Sequence, residues 1–405
     1  MENRTKRLLA VALVLAIIIP VLAYAYLNTQ NPQQQTVKRT YSWKQTLVSG
    51  FDNFGTATYK DGVLYAPSKA QNIVFALNAS NGAVIWQRNV RQCDASPCVD
   101  GDRIYVCECF GFDSYENHVP TTNPRAMALN KATGLILWSF VEPSGYGWVG
   151  SPAVNGDYVY FTTYGAGVYA LNRTDGSTLW HRQDIGQIVC SVAYHDGVVF
   201  VSAANSTSAQ YALNATTGQT IWQVAYGVSW DTSPVVYNGL IIQVTRVLST
   251  NSWSTYILDE STGHTIRKFE GRGAPSTPLV HDDKIFIPSN DRRLWAYSLT
   301  TGAELWHTTE LHDGHPQEYS YSSPAISDGE IYYQSLSGVF YMINETTGTI
   351  GWSCQLDGYG YGSPSLGNEY AYITNDSGLY AFQVNTSTTD WPMFCQNPLH
   401  QSTPH

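Results

Sequence analysis

The sequence has few charged side chains. Of its 405 residues, 13% are Asp, Glu, Lys or Arg, and the formal net charge is -10. Nucleic-acid binding requires clustered Lys and Arg to neutralise phosphates, so this composition argues against such a partner. The chain also lacks a glycine-rich phosphate loop after a strand and a nucleophile elbow. It therefore carries no motif of a nucleotide-binding enzyme or an α/β-hydrolase.

Aromatic residues, by contrast, are abundant. They make up 13% of the chain, with 28 Tyr and 12 Trp. Such a balance of many aromatic and few charged residues favours a β-rich extracellular protein over a helical cytosolic one.

One long apolar run is present, and it lies near the N-terminus. Basic residues in the segment 1–7 precede an apolar segment at 8–27, which is long enough to cross a bilayer as a helix. The basic residues predict a cytoplasmic N-terminus and an extracellular remainder. A signal-peptidase site at Ala23-Tyr24-Ala25 is the alternative, with secretion after cleavage. The polar residues 28–40 are interpreted as a linker.

A repeated motif organises the rest of the chain. It reads as an apolar strand, a turn ending in Gly and a second strand carrying Trp, as in the segment 74–86. Eight copies recur at a period of about 40–45 residues, which indicates a repeat architecture. One copy has Arg267 in the Trp position. The Trp residues expected to dock between repeats are Trp86, Trp138, Trp180, Trp222, Trp306, Trp352 and Trp391.

Each repeat also opens with a hairpin. The segment 96–106 shows a Ser-Pro step, a strand, an Asp-Gly turn and an alternating second strand. Two hairpins give four strands per repeat, and eight such repeats predict an all-β, eight-bladed β-propeller over residues 41–392, followed by a tail at 393–405. A β-solenoid is the alternative, but its repeats are usually shorter.

The tandem motif A-L-N-x-x-T-G-x-x-x-W resembles the docking motif of pyrroloquinoline-quinone-type propellers over residues 54–391. The resemblance implies either a quinoprotein dehydrogenase, with pyrroloquinoline quinone and calcium, or a member that binds no quinone, such as the outer-membrane assembly scaffold. The dehydrogenases place adjacent cysteines beside the cofactor, and this chain has no Cys-Cys pair. The sequence therefore favours the non-enzymatic branch without cofactor or metal. The alternatives are a quinoprotein-like dehydrogenase and a structural surface-layer protein of the cell envelope.

Aromatic and polar residues recur in the segments between repeats. These segments lead into the innermost strands, so we expect them at one mouth of the central channel, where an extracellular protein or glycan binds. The alternative is that they only plug the channel and pack between blades. The residues expected at this mouth are Tyr146, Trp148, Trp230, Asp231, Arg272, Tyr319, Tyr321, Tyr359 and Tyr361.

The ends of the repeat region predict how the ring closes. The segment 41–48 looks like an outer strand without the rest of its blade. We expect it to complete the eighth blade and so remove an exposed sheet edge. The segment around Trp391 is the alternative for that position.

Two covalent modifications are expected on export. The triplet for N-glycosylation occurs at Asn78, Asn172, Asn205, Asn214, Asn344, Asn375 and Asn385. Turn chemistry that favours Asn, Ser and Thr is the alternative explanation for these triplets. Of seven cysteines, Cys93 and Cys109, and Cys354 and Cys395, are the candidate disulfide pairs.

Overall fold

A computed structural model describes residues 37–46, 55–109, 111–114, 117–119, 123–145, 147–204, 209–247, 250–311 and 320–386. Within these ranges the protein is built from antiparallel four-stranded sheets that form an eight-bladed β-propeller, which confirms the predicted fold. Helix is confined there to one short 3-10 turn, Gln183–Ile185. No helix among the described residues is long and apolar enough to span a membrane. The apolar segment at 8–27 lies outside them.

The first four blades follow one another along the chain. Blade one consists of Thr58–Lys60, Val63–Ser68, Ile73–Asn78 and Val84–Asn89. Blade two consists of Cys98–Asp100, Arg103–Cys107, Arg125–Asn130 and Ile136–Val141, with an inserted hairpin of Gly111–Ser114 and Asn117–Val119. Blade three consists of Ala153–Asn155, Tyr158–Thr163, Gly167–Asn172 and Thr178–Arg182. Blade four consists of Ala193–His195, Val198–Ser202, Ala209–Asn214 and Thr220–Ala225.

The remaining blades repeat this plan, and the last one takes a strand from the start of the chain. Blade five consists of Val235–Tyr237, Leu240–Val247, Ser252–Asp259 and Thr265–Glu270. Blade six consists of Leu279–His281, Lys284–Ser289, Arg293–Ser298 and Glu304–His307. Blade seven consists of Ala325–Ser327, Glu330–Gln334, Val339–Asn344 and Ile350–Gln355. Blade eight consists of Pro364–Gly367, Tyr370–Asn375, Gly378–Gln383 and Trp43–Gln45. A two-residue strand, Val37–Lys38, begins the described part of the chain.

The strand Trp43–Gln45 closes the ring. It pairs antiparallel with Gly378–Gln383, and Trp43 lies opposite Ala381. In blade one the corresponding pair is Ala76 and Trp86. The position that the repeat pattern assigned to Trp391 is therefore held by Trp43, because the N-terminal strand supplies the outer edge of blade eight. Trp391 itself lies outside the described residues.

The repeated Trp and Gly form the seams between blades. In blade one the indole of Trp86 donates a hydrogen bond to the carbonyl of Lys131 in blade two, at 3.0 Å. The same ring lies against Gly134, where an added Cβ would come within 2.5 Å of it. Gly134 also has a φ of +66°, which disfavours any residue with a side chain. The motif thus couples a left-handed turn in one blade to an aromatic ring from its neighbour.

The seam after blade five departs from this pattern. Arg267 occupies the Trp position, opposite Ile257, and its guanidinium donates to the carbonyl of Thr300 at 3.1 Å. A hydrogen bond across the seam is thereby kept, although its acceptor lies one residue further along the turn than in the seam of Trp222 and Glu260.

Trp43→Ala tests ring closure. We expect a loss of about 3 kcal/mol in the free energy of unfolding, because the substitution empties the seam between blades eight and one. Lys44→Ala on the same strand is the control. Lys44 pairs with the exposed Asp357, so its loss should cost less than about 1 kcal/mol. Equal losses in the two variants, measured by urea denaturation, would show that Trp43 does not hold the seam.

Arg267→Trp tests the repeat motif by introducing the Trp that this seam lacks. Restoring the consensus ring should stabilise the protein by about 0.5–2 kcal/mol, because Gly302 already provides the turn that the ring packs against. Ile266→Trp places the same side chain on the neighbouring exposed position and should give no gain. A gain from Ile266→Trp alone would contradict this account of the seam.

Candidate functional site

A closed ring of hydrogen bonds surrounds the central channel. The backbone N–H at the start of each innermost strand donates to the hydroxyl oxygen of the equivalent residue in the next blade. The bond from Thr56 to Ser96 is 3.0 Å long, and the bond that closes the circle, from Ser363 to Thr56, is 3.1 Å long. The members of the ring are Thr56, Ser96, Ser151, Ser191, Ser233, Thr277, Ser323 and Ser363.

A cavity of about 270 Å³ lies at this ring. Seven of its lining residues lie two positions before a ring hydroxyl, since the ring fixes where the chain enters each blade. In blade order, these wall residues are Asp94, Val149, Val189, Asp231, Pro275, Tyr321 and Tyr361. Trp230 and Tyr164 complete the wall on the side of blades three to five. The cavity is therefore mostly apolar, with two carboxylates that enter from blades two and five.

Aromatic rings line two sides of the cavity. Trp230 and Tyr164 are half-buried and pack against the apolar cluster of Val189, Ala204 and Val228. Tyr321 and Tyr361 contact each other on the opposite side, with ring centroids 5.5 Å apart. Partly exposed rings around a concave wall suit stacking on a ligand.

Asp94 is the first of the two carboxylates, and it is paired. The Nζ atom of Lys69 lies 2.7 Å from its Oδ2 atom, and the two side chains are only 8% and 14% exposed. The thiol of Cys109 donates to the same oxygen at 3.5 Å. A buried and paired carboxylate of this kind contributes a fixed dipole to the wall rather than a net charge.

Asp231 is the second carboxylate, and it differs from Asp94 in its surroundings. It lies open to the cavity, between the apolar wall positions Val189 and Pro275. Desolvation by the surrounding protein is the main cause that raises the pKa of Asp231 to about 7, and the negative charge of Asp94 adds to it. Its φ is +56°, an uncommon conformation for a residue other than Gly, and its N–H donates to Val189. A carboxyl that changes charge near neutral pH in a cavity is a candidate for binding or proton transfer.

Four of the nine predicted mouth residues line the cavity. Trp230, Asp231, Tyr321 and Tyr361 line the cavity together. Tyr359 is 37% exposed but does not line it. Tyr146 and Tyr319 lie outside the described residues. The sequence did not point to Tyr164, because this residue follows a strand inside blade three and does not lie in a segment between blades.

Two further predicted mouth residues, Trp148 and Arg272, do not line the cavity either. Trp148 is fully buried among Phe140, Phe161 and Tyr169, with ring centroids 5.2–6.0 Å away, so the prediction that it faces a ligand is wrong. Arg272 lies over the ring of Trp295 at 3.7 Å, and this stacking holds it within blade six.

The predicted disulfide in blade two is not present. Cys93 and Cys109 are both buried, and no disulfide joins them. Their thiols instead contact oxygen atoms, Cys93 with the carbonyl of Ala95 and Cys109 with Asp94. Cys354 is also a thiol, and Cys395 lies outside the described residues. Burial raises the pKa of Cys93 to about 12, so this thiol stays protonated and unreactive.

The glycosylation triplets fall into three groups. Asn344 and Asn385 are exposed, whereas Asn375 is buried and donates its amide N–H to the carbonyl of Asp357 at 2.8 Å, which contradicts the prediction there. Asn205 lies outside the described residues. The other three, half-buried, accept backbone hydrogen bonds in their own turns: Asn78, Asn172 and Asn214.

Within the part of the chain that the structure describes, no three His, Cys, Asp or Glu side chains come together in a way that would hold a metal ion. Asp94, Asp231 and hydroxyls of the ring contribute polar groups to the cavity wall.

The fold and the seam motif together define a β-propeller of the pyrroloquinoline-quinone-like class. The chain belongs to the repeat family described as outer membrane protein assembly factor BamB, whose profile matches residues 37–210, 122–242 and 208–357.

Individual relatives differ in what their names say they do. The tetrathionate hydrolase of Acidithiobacillus ferrooxidans is 24% identical over 390 residues, which cover 86% of this chain and 68% of that protein. The quinoprotein ethanol dehydrogenase of Pseudomonas putida is 32% identical over 143 residues, covering 32% of this chain and 20% of that enzyme. The crystal structure of BamB from Moraxella catarrhalis superposes with a TM-score of 0.67 at 18% identity, covering 85% of this chain and 99% of that one.

Asp231→Asn should change stability in a pH-dependent way. Because the pKa of Asp231 is raised on folding, its contribution to stability is fully present below the unfolded pKa of about 4 and is lost as the pH rises through about 7. The Asn variant keeps a neutral side chain. We therefore expect it to melt at the same temperature as the parent near pH 4 and at a higher temperature above pH 7. Equal melting temperatures at pH 8 would show that Asp231 is not held in an environment that opposes its charge.

Proposed function

We propose that this propeller is a binding protein of the cell envelope, whose channel mouth receives a glycan or an apolar side chain of a protein partner. The observation that carries the proposal is the cavity itself. It joins partly exposed aromatic rings, a paired carboxylate and an open carboxylate in one concave wall. A mostly apolar hollow with a few converging polar groups is the usual form of a ligand site.

The proposed location rests on two observations of different kinds. The family description refers to outer-membrane assembly, and the apolar segment at 8–27 is long enough to tether the propeller to a membrane. We propose that the chain between that segment and the strand Val37–Lys38 acts as the linker and that the propeller lies on the extracellular side.

Quinone chemistry is less well supported by this wall. Pyrroloquinoline quinone carries carboxylates, which need basic partners. The described residues that line the cavity include neither Lys nor Arg, and they do include two carboxylates. The charged side chains of this wall therefore do not fit the carboxylates of pyrroloquinoline quinone.

One observation favours a hydrolase as the second candidate. Asp231 combines access to the cavity with a pKa of about 7, the condition under which a carboxyl both gives and takes a proton near neutral pH. One relative, aligned over 86% of this chain, is named for hydrolysis of tetrathionate, an anion. In acid, a neutral Asp231 donates a hydrogen bond to such an anion, so activity on tetrathionate that rises below pH 7 would support this candidate.

Trp230→Ala tests the proposed binding site. A glycan array identifies the tightest sugar, which is then titrated while tryptophan fluorescence is followed. We expect the affinity of the variant to fall tenfold or more, because an aromatic anchor is often worth at least about 2 kcal/mol. Its free energy of unfolding should change by less than about 1 kcal/mol, since the ring is only half-buried.

Trp306→Ala is the matched control. Trp306 donates to Glu345 across a seam, away from the cavity, so this variant should lose about 3 kcal/mol of stability and keep its affinity. Sugar binding that is unaffected by Trp230→Ala in a folded protein would place the site elsewhere.

A further inference from the structure

The two carboxylates leave one charge in the cavity without a counter-ion. Asp94 is neutralised by Lys69 at 2.7 Å. For Asp231, the only charged group among the described residues that acts on it is Asp94, which is also negative. Asp231 is exposed to the cavity, so a cation of a ligand can reach its carboxylate and supply the missing partner.

Aromatic rings supply a second attraction for a cation. Trp230 directly precedes Asp231 in the chain, and Tyr164, Tyr321 and Tyr361 line the same cavity. The faces of Trp and Tyr rings attract ammonium groups, most strongly where water is excluded. Aromatic rings and a carboxylate that line one cavity are suited to an ammonium group with alkyl substituents.

The backbone fixes the carboxylate in place. Asp231 is held at a φ of +56° by its N–H bond to Val189 and by Ser233, two residues later, whose hydroxyl accepts from Ser191 in the hydrogen-bonded ring. An unfavourable backbone conformation at a cavity is often retained because it orients a functional side chain.

We propose that the channel mouth is a binding site for a small organic cation, a primary or quaternary ammonium compound that pairs with Asp231 and rests its alkyl groups on Trp230 and the tyrosines. This inference rests on the proposed function and names the ligand class for the same site. A cavity of about 270 Å³ has room for a compound of the size of choline. A lysine side chain of a protein partner presents the same chemistry.

The site should respond to pH through Asp231. The titratable groups that face it are Asp94 with its partner Lys69, the Cys190 thiol, and the phenols of Tyr164, Tyr321 and Tyr361. Burial raises the pKa of Cys190 to about 12, so that thiol stays neutral, whereas Asp231 ionises near pH 7. A bound cation competes with the proton, so its affinity should rise with pH and binding should release a proton.

Choline and its uncharged isostere 3,3-dimethylbutan-1-ol are the probes. Calorimetric titration of the full chain should show choline binding about tenfold or more tightly at pH 8.5 than at pH 5.5, because Asp231 is mostly protonated at the lower pH. At pH 8.5 choline should also bind at least tenfold more tightly than the isostere. Heats measured in buffers of different ionisation enthalpy should show the release of a proton.

Single substitutions distinguish the contribution of the Asp231 charge to choline binding from that of the Trp230 ring. Asp231→Asn, which tolerates the same backbone conformation, should remove the pH dependence and reduce choline to the affinity of the isostere. Trp230→Phe should bind choline nearly as the parent does, and Trp230→Ala at least tenfold more weakly. Asp184→Asn is the control, since Asp184 is exposed, pairs with Arg182 and does not line the cavity. It should leave choline binding unchanged.

The outcomes distinguish this inference from the proposed function. If choline and n-butylammonium bind no better than the isostere at pH 8.5, while sugar binding still depends on Trp230, the cation site is wrong and the binding function stands. If tetrathionate binds instead, more tightly in acid and through Asp231, the cation site is wrong and the hydrolase candidate gains support. If no probe responds to Trp230 or Asp231, both proposals are wrong.

Discussion

The hydrogen-bonded ring around the channel is the constraint on which the rest of the structure depends. Each bond joins a backbone N–H in one blade to a short side-chain hydroxyl in the next, as between Ser323 and Ser363 at 2.9 Å. Ser and Thr suit this role because their hydroxyl is close to the backbone and both donates and accepts. Since the bonds link all eight blades in a circle, the entry point of every innermost strand is fixed relative to the others. The residues two positions earlier then face one cavity.

The outer part of each blade is held by a different kind of contact. There, seam rings such as Trp138 and Trp180 lie against a glycine of the next blade and donate to a carbonyl at 2.9 and 2.8 Å. These contacts bury aromatic area, whereas the inner ring satisfies buried backbone groups. Because the seam contacts and the inner ring hold the blades together, the segments between blades are free to vary in sequence. The diversity at the mouth, from Val189 to Asp231 and Tyr361, is consistent with that freedom.

Much of the fold was predictable, and the reason is repetition. The Gly of the closing turn and the Trp after it follow from backbone and packing requirements that recur in every blade, so eight weak signals reinforced each other. The cavity was predictable only in part. The sequence placed Trp230 and Asp231 in a segment between blades, but Trp148, in the same kind of segment, points into the core. Which way such a ring turns depends on its neighbours Phe140, Phe161 and Tyr169, which come from other strands.

The closing strand also determines when the native ring first becomes possible during synthesis. Lys44, on that strand, forms an ion pair with Asp357, 313 positions further along the chain. A ribosome that synthesises the protein from its N-terminus therefore releases the edge strand long before the blade that receives it. Until then the strand Trp43–Gln45 has no pairing partner and remains open to other chains, and nascent proteins with such exposed edges are prone to aggregate. The need of this propeller for chaperones should accordingly depend on the interval between synthesis of the strand Trp43–Gln45 and synthesis of blade eight. The stability of the finished blades should matter less.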